Sequence, residues 1–144
     1  MKRLVIYMCV TALTVVVLPV HLFAAQNTDS TPNPIRVTGV YSTLYLNKEE
    51  GDLLGIEVMI TKTEKNYYVV FQSAEGVALP PVVTKAVVDG NTIMFKVNEP
   101  GGYSGTFRGR IKQTGIEGGF VNGQRDPFMR KTFLLPRKCS FWTQ

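Results

Sequence analysis

The stretch Gly101–Phe120, GGYSGTFRGRIKQTGIEGGF, holds seven glycines in twenty residues, yet it alternates as a strand should. Tyr103, Gly105, Phe107, Gly109 and Ile111 fall on one face; Ser104, Thr106, Arg108, Arg110 and Lys112 fall on the other. Ile116, Gly118 and Phe120 repeat the large–small–large order on the return strand. Glycine weakens a regular strand, because it packs nothing and loses the most backbone freedom on folding. At inward positions of a sharply bent sheet it has a use: it lets the strand curve and leaves room for a neighbour's ring. A phosphate cradle would instead need a glycine-rich turn opening a helix, with a lysine placed for the anion. Neither is present, so the glycines predict corners of a small, strongly curved barrel.

The remainder of the chain from Ile35 supports this. Short runs of β-branched and aromatic residues are separated by turn signals at intervals of roughly 8–15 residues. The runs are IRVTGVYSTLYL, LLGIEVMITK, YYVVFQ, VALPPVVTKAVV, TIMFKV, the two strands of the opening stretch, and FMRKTFLLP. Pro80-Pro81 cannot donate to a ladder and marks a loop, edge or corner. Asp89-Gly90-Asn91 is the strongest hairpin signal and predicts a type I′ turn. Eight consecutive strands with short connections predict an all-β fold, an eight-stranded antiparallel up-and-down meander barrel. A two-sheet β-sandwich is the alternative; closure has the advantage of removing both exposed edges.

Residues 1–25 read as a signal peptide. Lys2 and Arg3 precede the uncharged run Leu4–Leu18, Ala24-Ala25 supply a small-residue exit, and the polar segment from Gln26 follows. Residues 26–34 read as a flexible leader and 35–144 as a single β-barrel domain. Export to a periplasmic or extracellular location, with no membrane span after cleavage, is the expectation. Taking Lys2 and Arg3 from the 16 basic residues leaves 14 against 11 acidic ones, a net charge of +3. That charge favours solubility and anionic surfaces and does not signal nucleic-acid binding. The one histidine, His21, and Cys9 leave with the signal. The remaining chain lacks the commonest general base and metal ligand, and Cys139 is left to be either a small buried hydrophobe or a bridge between two chains.

The order Gly39-Val40-Tyr41 on the first strand, then a meander ending in FRGRIKQTGIEGGF and TFLL, resembles small exported barrels of the lipocalin and avidin type. The resemblance implies a calycin-like barrel over nearly the whole mature chain. It brings no ligand with it: Tyr41 stands where lipocalins place a tryptophan, and Trp142, the single tryptophan, lies at the C-terminus.

Catalysis is the weakest functional class. The carboxylates fall mostly in turns, where acids are solvated, and no histidine remains to activate a serine or Cys139. Neither a metal site nor a cofactor is expected. Two binding readings stay open. In the first, a small apolar or aromatic ligand lies inside the barrel against Tyr41, Tyr67, Val69, Phe71, Phe95, Phe107 and Phe120, with Thr43 and Thr84 as polar orienting groups. The same residues would equally make an ordinary core. In the second, an envelope protein or anionic polymer binds the loops and basic outer face, through Tyr103, Arg108, Arg110 and Lys112, with Arg130 and Lys131 two strands along.

Overall fold

The computed structural model describes residues 34–123 and 132–143. The expected signal peptide, most of the leader, and the start of the expected last strand at Phe128–Lys131 lie outside them. Nine strands follow in order: β1 (Gly39–Ser42), β2 (Tyr45–Asn47), β3 (Asp52–Lys62), β4 (Tyr67–Ala78), β5 (Val82–Asp89), β6 (Thr92–Asn98), β7 (Ser104–Ile111), β8 (Gly115–Gly123) and β9 (Phe133–Pro136). All pair antiparallel in one sheet of order β1-β3-β4-β5-β6-β7-β8-β9, with β2 also on β3. The two ends of this sheet meet. Tyr41 of β1 bridges Arg137, just beyond β9, and Lys138 N–H donates to Val40 C=O at 3.1 Å. The meander is thus one sheet nearly closed into a barrel, not two stacked sheets.

The strands depart from the expected bounds at several places. The first run is a single line interrupted at Thr43–Leu44, because Tyr41↔Val58 and Tyr45↔Leu54 keep the same register on β3. The interruption faces Gly55, whose φ is +112° and where a Cβ would lie 2.5 Å from the Thr43 carbonyl oxygen. Only glycine admits so close an approach at that backbone angle. β4 continues through Ser73–Ala78 instead of stopping at Gln72, and β5 starts directly after Pro81. The hairpin at Asp89↔Thr92 has a positive φ at Gly90 alone. That is the type II′ pattern, not the expected I′, because Asn91 keeps a negative φ.

The glycine stretch folds as the alternation requires. Phe107, Gly109, Ile111, Ile116 and Phe120 are buried, while Arg108, Arg110 and Glu117 are exposed. Gly109 pairs with Gly118 across β7 and β8. A Cβ at Gly109 would meet Ile116 at 2.7 Å and the Phe107 ring at 2.8 Å. The register shifts between Thr106 and Phe107, a bulge that adds to the bend.

The main core is the barrel interior: Tyr41, Ile56, Val58, Ile60, Val69, Phe71, Ile93, Phe95, Val97, Phe107, Ile111, Ile116, Phe120 and Leu135. A second, smaller cluster of Leu44, Leu53 and Ala74, with Ala78 and Phe141 against it, lies where the C-terminal segment docks. There a short 3-10 turn, Phe141–Thr143, is held by Glu57. Ser140 Oγ donates to one Glu57 oxygen at 2.6 Å and Phe141 N–H to the other at 2.9 Å.

Candidate functional site

The interior residues converge, but on one another. Phe95 stacks on Phe107 with ring centroids 4.9 Å apart, and Phe107 meets Phe120 edge-on at 5.6 Å. Phe71 approaches Phe120 at 6.0 Å and Phe95 at 6.4 Å. These are the spacings of aromatic pairs that pack as a core. Tyr41 and Val69 are fully buried in the same cluster, and Tyr67 packs against its edge. Of the two threonines, Thr43 spends its polar atoms on the break in the first strand. Its hydroxyl accepts from Ile56 N–H at 3.1 Å, and its own N–H donates to Ile56 C=O at 2.8 Å.

Tyr41 also closes the barrel. Its hydroxyl donates to Val37 C=O at 2.7 Å, and the Arg137 guanidinium lies over its ring, 4.6 Å from the centroid. The same guanidinium donates to Thr38 C=O at 2.8 Å, to Gln113 C=O at 3.3 Å, and to Arg36 C=O and the Tyr41 hydroxyl. Burial pushes the Tyr41 phenol above its ordinary value, against a smaller lowering by the Arg137 and Arg36 charges.

The outer-face candidates separate. Tyr103 is not presented by its loop: it stacks on Phe120 at 5.2 Å and meets Phe133 edge-on at 5.8 Å, an extension of the core. Lys112 is taken by an ion pair with Glu117 on the next strand. Lys112 holds the Glu117 carboxyl below its ordinary value, first through the hydrogen bond and then through its charge. Arg108 and Arg110 remain exposed on β7. Arg130 and Lys131 lie outside the described residues.

Residues that the sequence did not single out join Thr84 and Phe95 in a groove near Arg108. The β5–β6 ladder runs only from Asp89↔Thr92 to Ala86↔Phe95. Beyond it β5 continues back to Val82, paired to β4, and β6 continues to Asn98, paired to β7. Val82–Lys85 and Lys96–Asn98 therefore face an open seam. A groove of about 430 Å³ lies there, lined by Thr84, Lys85, Val87, Met94, Phe95, Lys96, Thr106 and Val121. Thr84 and Phe95 belong to the inner-facing set of their strands, so the groove cuts into the wall. Val87 and Met94 are exposed apolar residues on its outer rim. Lys85 and Lys96 stand one step past the last ladder pair; among the described residues neither has a carboxylate partner, the one ion pair being Lys112–Glu117.

Past the seam the wall is stitched by a buried acid. Glu99, 3% exposed, reaches from the end of β6 to Ser73 on β4. It accepts from Ser73 N–H at 2.9 Å, Ser73 Oγ at 2.6 Å and Tyr103 N–H at 3.2 Å. In sequence it looked like one more solvated turn acid. The Ser73–Glu99 contact has the form of a hydroxyl beside a base, but both groups are buried and the carboxylate is occupied by backbone donors. Among the described residues no three His, Cys, Asp or Glu side chains cluster to hold a metal. Cys139 is exposed, not the small buried hydrophobe that its composition suggested. No family model, curated protein or solved structure matches this chain.

Proposed function

We propose that the chain is an exported, non-catalytic binding module that takes an anionic partner with apolar character on the outer face of β5–β7. The order of residues 1–25 supports export. The observation that carries the binding reading is the groove at the open β5–β6 seam. Its apolar rim at Val87 and Met94 is flanked by Lys85 and Lys96, while Arg108, opposite Met94 on β7, lines an adjoining hollow with Asp89, and Glu117 is paired to Lys112. Clefts of a few hundred Å³ with convergent polar groups are where ligands bind, and clustered charge of one sign draws partners of the other. A small apolar ligand inside the barrel would have to displace rings that already fill one another's faces.

Reversal of Lys85, Lys96 and Arg108 to Glu tests the reading. Wild-type protein should sediment with its own envelope fraction at low ionic strength and be released as salt screens the contact, with a Debye length near ~10 Å at 0.1 M. The triple variant should stay in the supernatant at every salt concentration. Equal sedimentation of both proteins refutes the reading.

A further inference from the structure

Resting on that outer-face reading, we infer that the β5–β6 seam receives an extended acidic peptide segment of a partner protein, laid in as an added strand. Three observations converge on an occupant of this kind. First, the seam offers main-chain edges. Val82–Lys85 use their other edge on β4, and Lys96–Asn98 use theirs on β7, and no backbone bond joins the two segments across the seam. Unpaired strand edges are templates for another chain, and an added strand gains affinity from main-chain bonds.

Second, the seam resists closing on itself. Continuing the register one step beyond Ala86↔Phe95 would set Lys85 directly opposite Lys96. Like charges at directly opposed positions, with Cβ atoms about 5 Å apart, are destabilising. Two ammonium groups therefore hold the ladder open, and carboxylates between them would turn that repulsion into attraction.

Third, opening here does not unravel the wall. Glu99 ties the end of β6 to Ser73 across the position that β5 vacates at Pro80-Pro81, where Pro80 has no N–H to offer the ladder. The gap is held at one end by the Ala86↔Phe95 pair and spanned beyond the other by a buried carboxylate. The unpaired slot is about as long as the four residues Val82–Lys85.

The side chains set the partner's pattern. A strand lying in the slot alternates its residues between the two faces of the wall. The outward position level with Lys85 and Lys96 selects Asp or Glu, and the next outward one is level with Val83 and Asn98. The position between them points toward Thr84 and Val97, which selects a small or apolar side chain. Val87, Met94 and Val121 border the slot and cover the stems of the partner's outward residues.

The test is selection of a displayed random-peptide library against the full exported chain and against Lys85→Glu/Lys96→Glu. A Lys85→Gln/Lys96→Gln variant serves as the neutral control, and thermal melting confirms that each protein is folded. The expected result is a wild-type consensus with an acidic residue at one outward position, replaced by a basic residue there for the Glu variant. N-methylation of alternate amides in the selected peptide should weaken it by about tenfold or more, as loss of main-chain pairing requires. A consensus indifferent to charge reversal, or the absence of any consensus, overturns the inference. So does N-methylated peptide, or inorganic polyphosphate, binding as tightly as the peptide itself. In those cases the outer-face reading survives only if salt-sensitive sedimentation is still lost in the triple charge-reversed variant.

Discussion

Glu99 provides the sharpest test of how this barrel is held together. Its two oxygens serve three donors: Oε1 takes Ser73 N–H, while Oε2 takes Ser73 Oγ and Tyr103 N–H. Glu99→Gln keeps the shape and replaces one acceptor by an NH2 group. Whichever way the amide turns, at least one backbone N–H then faces another donor. The Ser73 hydroxyl can rotate to accept; an N–H cannot. An orphaned buried donor costs about 1–3 kcal/mol, so Glu99→Gln should destabilise by that amount. Glu99→Ala orphans both backbone donors and should cost about 2–6 kcal/mol on the same scale. Urea unfolding followed by tryptophan fluorescence measures both, with the transition midpoint falling at unchanged slope. Ser73→Ala removes only the hydroxyl, and the cycle with Glu99→Gln should show coupling of about 0.5–3 kcal/mol. A Glu99→Gln protein within about 0.5 kcal/mol of wild type, the range of ordinary surface substitutions, would refute the stitch.

The barrel seam and the glycine corners give three further predictions. Arg137→Lys keeps the charge and loses the planar fork that reaches the Thr38, Gln113 and Arg36 carbonyls together. It should lower stability by about 1–3 kcal/mol in the same urea assay, with little rescue over Arg137→Ala. Gly118→Ala would drive a methyl group into the backbone of Arg108 and Gly109 on the facing strand, and should cost about 1–3 kcal/mol as the strands part. Tyr41→Phe tests the phenol. The raised Tyr41 pKa means the fold favours the neutral form, so its contribution is whole below the ordinary value of 10.0 and is lost as pH rises through the raised one. The Tyr41→Phe variant should therefore lose less stability than wild type between pH values just below and above that point, although it starts lower for want of the bond to Val37.

The sequence carried the barrel, and it carried most of the core, because both follow from period-two alternation. A strand places every second side chain inward whatever its partners are. Tyr103, Phe107, Ile111, Ile116 and Phe120 therefore sorted to the interior on alternation alone. Functional features were legible only where they obeyed the same rule. Arg108 and Arg110 face outward as their positions require, but the pairing of Lys112 with Glu117 depends on register, which no single strand contains. Lys85 and Lys96 lie eleven positions apart in separate runs; nothing marks them as neighbours until the β5–β6 register is known. The length of that ladder was equally hidden, because each strand reads as continuous. Pro80-Pro81 was the one local signal that β5 leaves the wall nearby.

The least legible residues are the ones that hold the barrel shut, and physical chemistry explains why. An antiparallel barrel must satisfy its backbone donors and acceptors at every place where pairing fails. Among the described residues an ionisable side chain stands at three such places. Arg137 supplies donors to the carbonyls of Arg36 and Thr38, where β1 and β9 share only the bridge at Tyr41. Glu99 supplies acceptors to Ser73 and Tyr103, where β5 departs. Glu57, on the outer face of β3, supplies acceptors to the N-terminus of the 3-10 turn that covers the second cluster. Each sits in a run that by composition alone reads as solvated, since a charge on a strand's polar face or in a Pro-Gly turn is ordinarily wet. Against that background the stretch of seam between Lys85 and Lys96 differs in kind. It has the same unpaired edges, but its charged side chains, Lys85 and Lys96, are donors of one sign and follow directly on the last ladder pair. A break designed to be closed from within would carry a carboxylate there, as it does at Glu99. Two lysines supply no acceptor to either edge.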